Sequence, residues 1–143
     1  MAKTFKLKVI TPERLFYLGE AEMVIVRTAG GDEGFLANHV WGCKLLVPGE
    51  MKIKEAGASK SEYKLAALSE GFINVKDSVT IYTDAAEWPD EIDVERAERA
   101  KEKAQAKLRQ SQGKFDHMQT EIALHKAINR IRVKSDVYDN KKQ

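Results

Sequence analysis

The sequence predicts an α+β chain: an antiparallel β-sandwich over residues 1–86, then an antiparallel αα-hairpin over residues 87–143. Three observations carry this. Up to residue 86, short segments alternate apolar and polar side chains with a period of two, the pattern of half-buried strands. Turn residues (Pro48-Gly49, Gly57-Ala58-Ser59, Lys76-Asp77-Ser78) separate these segments at nearly regular intervals, as in sandwiches and flattened barrels. From Glu87 onward the chain is rich in Ala, Glu, Lys and Arg at helical spacing and has almost no turn residues. A small β module with a helical arm is built for docking and signalling rather than for chemistry of its own.

The strands follow in order. Phe5, Leu7 and Val9 alternate with Lys6 and Lys8, so one face is dry and the other wet. Thr11-Pro12-Glu13 ends that strand, because Pro12 has no N–H to give to a ladder. Glu20–Arg27 holds the β-branched run Met23-Val24-Ile25-Val26, and Gly30-Gly31-Asp32-Glu33-Gly34 then reads as a turn. Further strands are expected at Lys44–Val47, Met51–Glu55, Glu62–Leu68, Gly71–Val75 and Val79–Thr83.

In the arm, Pro89 is placed to open the first helix, with Asp90, Glu91, Asp93 and Glu95 favourable against its N-terminal dipole. Ala97, Ala100, Ala104 and Leu108 fall on one face. Gly113 is expected as a C′ stop and Asp116 as the N-cap of the second helix. That helix aligns Met118, Ile122 and His125, with Leu124, Ile128 and Ile131 alongside. Each helix is expected to run about 25–30 Å at 1.5 Å per residue. An alanine face buries little apolar area, and helices of this length are marginal without packing. The arm is therefore expected to be weakly pinned and movable by a ligand or partner.

Composition sets exclusions. Residues 1–86 carry eleven acidic and eleven basic side chains; residues 87–102 carry seven acids and three bases; residues 103–143 carry four acids and ten bases. The arm starts acidic and ends basic, but the chain's net charge of +2 is too small to attract nucleic acid in bulk. Cys43 is the single cysteine, so no intrachain disulfide forms and a reducing compartment is indicated. The start of the chain lacks the apolar core of a signal peptide, and no apolar run approaches the roughly 20 residues that span a bilayer. His39 and Cys43 lie four apart without a third ligand, and His117 and His125 lack acid or cysteine company at ligand spacing, so no metal site is expected. Phosphate-loop and nucleophile-elbow motifs are missing, which argues against intrinsic catalysis. Phe35 and Trp41 are candidate contact anchors, with core packing an equal reading for Phe35.

The stretch Gly31-Asp32-Glu33-Gly34-Phe35-Leu36-Ala37-Asn38-His39, followed by Pro48-Gly49, resembles a signature of the epsilon subunit of F-type ATP synthases. Further pieces match in order: Thr11-Pro12-Glu13, Gly71-Phe72-Ile73-Asn74-Val75, Asp84-Ala85-Ala86-Glu87 and Ile92-Asp93-Val94-Glu95-Arg96-Ala97. Ala37, Trp41 and Gly42 depart from the usual Pro, Pro and Leu. The resemblance implies a bacterial, non-catalytic central-stalk subunit, peripheral at the cytoplasmic face of the cell membrane. It implies a sandwich of about ten strands that couples the gamma subunit to the c-ring, with Gly31, Gly34, His39 and Trp41 in the subunit contact loop. It also implies a hairpin that inhibits ATP hydrolysis when it extends towards the alpha/beta catalytic head.

Two site sets follow from the same resemblance. Glu87, Asp93, Arg96 and Arg130 match the positions that bind ATP in some bacterial members, with Lys103 and Lys126 standing where those members have arginine. Lysine keeps the charge but loses the bidentate fork. No cofactor is required, and ATP with magnesium is implied as a regulatory ligand. Read without the family, Asp93 caps a helix and Arg96 makes surface pairs. Lys126, Arg130, Arg132 and Lys134 form the inhibitory contact that the resemblance implies, or else a solvated helix face. A nucleotide-sensing module with little inhibitory role stays open as the alternative function.

Overall fold

Alternation decides the first strand. β1 (Phe5–Ile10) buries Phe5, Leu7 and Val9 and turns Lys6 to solvent. The computed structural model describes residues 3–59, 62–110 and 113–142, with side chains as far as Asp136. Their contacts divide the chain into two units, Met1–Ala86 and Glu87–Gln143.

In the first unit, β2 (Leu15–Thr28) begins well before the expected Glu20 and is the longest strand described. It pairs antiparallel with β1 through Leu15–Ala21 and with β3 (Gly31–Leu36) through Met23–Thr28. On its other side it pairs with β5 (Gly49–Glu55). The register of that pairing shifts between Ala21 and Met23, so Glu22 is an extra residue. Such a bulge bends a strand and lets it pass from one layer of a sandwich to the other. β4 (Gly42–Leu46), β6 (Lys64–Leu68), β7 (Gly71–Val75), β8 (Val79–Thr83) and the two-residue β9 (Ala86–Glu87) complete the sheet. Its order is β1-β8-β7-β4-β2-β5-β6-β9, with β3 beside β2. β1 and β8 run parallel; every other registered pair is antiparallel. The described residues thus hold nine strands, against about ten expected.

The expected turn at residues 30–34 is corrected. Residues from Gly31 on form β3, and the reversal is made by Ala29-Gly30 between the paired Thr28 and Gly31. Asp32 and Glu33 look like turn residues because they are cross-strand ion-pair partners, Asp32 to Arg27 at 3.0 Å and Glu33 to Lys44. Gly31 alone in this stretch takes positive φ, at 113°. The core between the layers comprises Leu7, Val9, Val24, Val26, Phe35, Met51, Ile53, Ile73 and Ile81, all at most 1% exposed. Each contributes about 1.5–3 kcal/mol through burial. At Gly71 a Cβ would sit 1.9 Å from the Tyr82 carbonyl oxygen, so β7 and β8 approach closely only because this residue has none. Tyr17 ties β2 to β5, its hydroxyl donating to Glu55 Oε2 at 2.8 Å. Burial first, then that acceptor, pushes the Tyr17 hydroxyl above its ordinary value.

The second unit departs further from expectation. Pro89–Glu91 form a separate 3₁₀ turn, with the Glu91 carboxylate accepting from the Trp88 N–H at 2.9 Å. α1 starts only at Val94 and ends at Gln110, because Asp93 caps it: the Arg96 N–H donates to Asp93 Oδ1 at 3.1 Å. α2 runs Lys114–Lys142, which is about 44 Å. It outruns the expected length because neither Gly nor Pro occurs after Gly113. Gly113 precedes α2 directly and its carbonyl accepts from His117 N–H at 3.1 Å; Asp116 sits in the first turn instead of capping it. Residues 111–112 of the expected helix connection lie outside the described residues.

Candidate functional site

Sequence dictates which faces of the two helices meet. Ala97 and Ala104 are buried, Leu108 is half-buried and Ala100 is exposed. Small residues on α1 admit small residues on α2. Ala100, Lys103, Ala104 and Lys107 line one side of a groove of about 280 Å³, with Gln119, Thr120 and Ala123 opposite. Lys107 also reaches Asp116 at 4.0 Å. The expected line Met118, Ile122 and His125 is exposed, so it is not the seam. The α2 face runs Asp116, Thr120, Ala123, Ala127, Arg130 and Lys134, spaced four, three, four, three and four.

At the far end of that face the chemistry changes from methyls to charge. Arg130 Nε lies 2.6 Å from Glu87 Oε1, and Arg130 Nη2 donates to Glu87 Oε2 at 3.0 Å. Only the second contact is well aligned. The Nε–H is buried and points off the line to its neighbour, so this nitrogen makes no true hydrogen bond. One turn on, Lys134 Nζ donates to the Pro89 carbonyl at 2.8 Å. Both members of the ion pair are about a quarter exposed, so solvent screens it in part.

The matched residues therefore fall into two groups. Glu87 and Arg130 meet, with Lys134 beside them on Pro89. Lys126 is half-buried one turn before Arg130. Asp93 is engaged as the α1 cap, while Arg96, Lys103 and Arg132 are exposed. Of the matched cations, Arg130 is engaged directly by a matched carboxylate, that of Glu87.

On the sandwich, Leu36-Ala37-Asn38-His39 makes a turn in which Asn38 takes φ 65° and His39 N–H donates to the Leu36 carbonyl at 3.2 Å. The His39 ring leans on the buried Phe35 ring, centroids 4.7 Å apart, which fixes the turn to the core. Phe35 is thus a core residue and Trp41, 63% exposed, is free to meet a partner. Gly31 and Gly34 sit in β3 and not in the loop where they were expected. Leu36 and Ala37 line a groove of about 310 Å³ with Lys3, Met23 and the ion pair Glu22–Lys54.

A second surface escaped the sequence reading. Leu45 pairs with Phe72 across β4 and β7, and Phe72 pairs with Tyr82 across β7 and β8. All three point out, at 77, 38 and 40% exposure, and the rings of Phe72 and Tyr82 stack at 4.9 Å. Ile10, the partner of Tyr82 on β1, extends the row. The flanking row, Lys8, Thr80, Asn74 and Cys43, is polar apart from the thiol. Period two alone marks Phe72 and Tyr82 as outward, and an aromatic on a wet face was the available signal. Among the described residues no group of His, Cys, Asp and Glu is arranged to hold a metal.

Residues 4–89 match the family model described as ATP synthase, Delta/Epsilon chain, beta-sandwich domain, and residues 90–135 match that of its long alpha-helix domain. The chain belongs to the ATP synthase epsilon-chain family. The epsilon chain of Caldanaerobacter subterraneus subsp. tengcongensis is 44% identical over 140 residues, covering 94% of this chain and 96% of that one. The epsilon chain of Alkaliphilus oremlandii is 49% identical over 114 residues, covering 79 and 82%. Among solved structures, a chain of the Euglena gracilis mitochondrial ATP synthase OSCP/F1/c-ring assembly superposes with a TM-score of 0.70 at 30% identity, covering 85% of this chain and 76% of that one. In this epsilon-chain family member, the two matched models fall on the β-sandwich and on the helical hairpin. Among the described residues no helix is long and apolar enough to cross a membrane.

Proposed function

We propose that this chain is a non-catalytic central-stalk subunit of a bacterial F-type ATP synthase, peripheral at the cytoplasmic face of the cell membrane. Its sandwich couples the gamma subunit to the c-ring, and movement of its hairpin restrains ATP hydrolysis by the alpha/beta head. The observation that carries the docking part is the exposed row Leu45–Phe72–Tyr82 on an otherwise alternating sheet. Spanning β4, β7 and β8, it offers a stacked aromatic pair and a leucine, the residue types that anchor interfaces. This row faces gamma, and the His39–Trp41 turn faces the c-ring. The basic residues Lys126, Arg130, Arg132 and Lys134 meet acidic surface on the head once the arm extends.

The paired substitution Leu45→Glu and Phe72→Glu tests the docking face. Both side chains are exposed, so the fold should persist, while affinity for gamma in a reconstituted assembly falls roughly 30-fold. Unchanged affinity with an intact circular dichroism spectrum overturns the assignment.

A nucleotide-sensing role is the second reading, favoured by the Arg130 Nε that lacks an aligned acceptor beside Lys126. Phosphate oxygens would satisfy it, with Glu87, Asp93, Arg96 and Lys103 completing the site for ATP with magnesium. Calorimetry of the isolated protein with ATP and magnesium should register saturable heat in the millimolar range or below. Heat indistinguishable from dilution at millimolar ATP removes this reading and leaves the rotor role standing.

A further inference from the structure

We propose that Glu87, Arg130, Lys134 and the Pro89 carbonyl form a salt-sensitive electrostatic catch that fastens α2 to the 3₁₀ turn without any nucleotide. The catch is a property of the second unit alone and goes beyond the rotor and sensor roles.

The α2 face is poor in apolar bulk before Arg130. Through Asp116, Thr120, Ala123 and Ala127 it offers one carboxylate and otherwise small side chains, so each turn buries little area against α1. Arg130 and Lys134 continue the same face at helical spacing over the 3₁₀ turn. There the guanidinium grips Glu87 and the ammonium grips Pro89 O, two charge-assisted contacts one turn apart. Helical packing of alanines is weak and insensitive to salt, whereas these contacts are directional and partly screened. Val133, fully buried between them in sequence, adds an apolar hold that salt does not weaken. The misaligned Nε leaves the ion pair short of its best geometry.

Amide hydrogen exchange on the full chain, without nucleotide, reads the catch directly. Glu87→Gln keeps the shape of the side chain and removes its charge. Protection across residues 126–136 should fall about tenfold, while residues 97–108 keep theirs. Raising salt from about 0.1 to 1 M should lower protection of residues 126–136 in the parent chain and lower it clearly less in Glu87→Gln, where only the Lys134 contact is left to screen. Lys134→Met, which keeps an apolar stem, should cost a smaller loss over the same residues. The exchanged pair Glu87→Arg with Arg130→Glu should recover most of the protection. Parent-like protection and salt response in Glu87→Gln overturn the proposal. So does a loss spread evenly over residues 97–108 and 126–136, which would mark the pair as general hairpin stability.

Discussion

Ending the chain after Ala86 should leave a folded sandwich that still enters the assembled synthase, with ATP hydrolysis raised roughly tenfold. That size is the scale of coupling between two sites through a two-state element. The expectation rests on where the core lies. Every fully buried large side chain of the sandwich, from Leu7 to Ile81, precedes the cut. At the cut itself, Arg14 Nη2 still finds the Ala86 carbonyl at 3.3 Å. What is lost is the arm, which carries the basic residues proposed to reach the catalytic head. Hydrolysis rates of the reconstituted complex, with full-length and shortened chains at equal occupancy, check this. Equal rates would remove the restraining role, and failure to assemble would show that the arm also docks.

Phe35→Ala should cost the sandwich about 3–5 kcal/mol, a large share of what holds a small domain together. Phe35 is fully buried on β3 and supports the His39 ring on its outer side. Removing it opens a cavity and withdraws the platform of the turn that precedes Trp41. A urea titration should show the midpoint falling with little change in slope. An unchanged midpoint would mean that the layers close over the gap without loss.

Much of this was legible because alternation is a local signal. Phe5, Leu7 and Val9 read as inward from their lysine neighbours alone, and the change of pattern at residue 87 is where the two units part. β3 was misread because Asp32 and Glu33 serve cross-strand partners, and pairing over a turn cannot be read from composition. The seam on α2 is not legible from apolar character for a different reason. Met118 and Ile122 are large and apolar yet exposed, whereas alanines on α1 select small partners, so size decides where hydrophobicity does not. Glu87 and Arg130 were named from family positions. Their direct contact spans 43 residues, and neither periodicity nor spacing reports it.

The parallel pairing of β1 with β8 has a consequence for how the chain comes into being. Leu7 meets Val79, so a nascent chain must emerge almost to the end of its first unit before its opening strand gains that second neighbour. Until then, one flank of Phe5–Ile10 stays open to whatever passes, and its two lysines are the residues that discourage strangers. The hairpin, made from nearby stretches of sequence, waits for nothing.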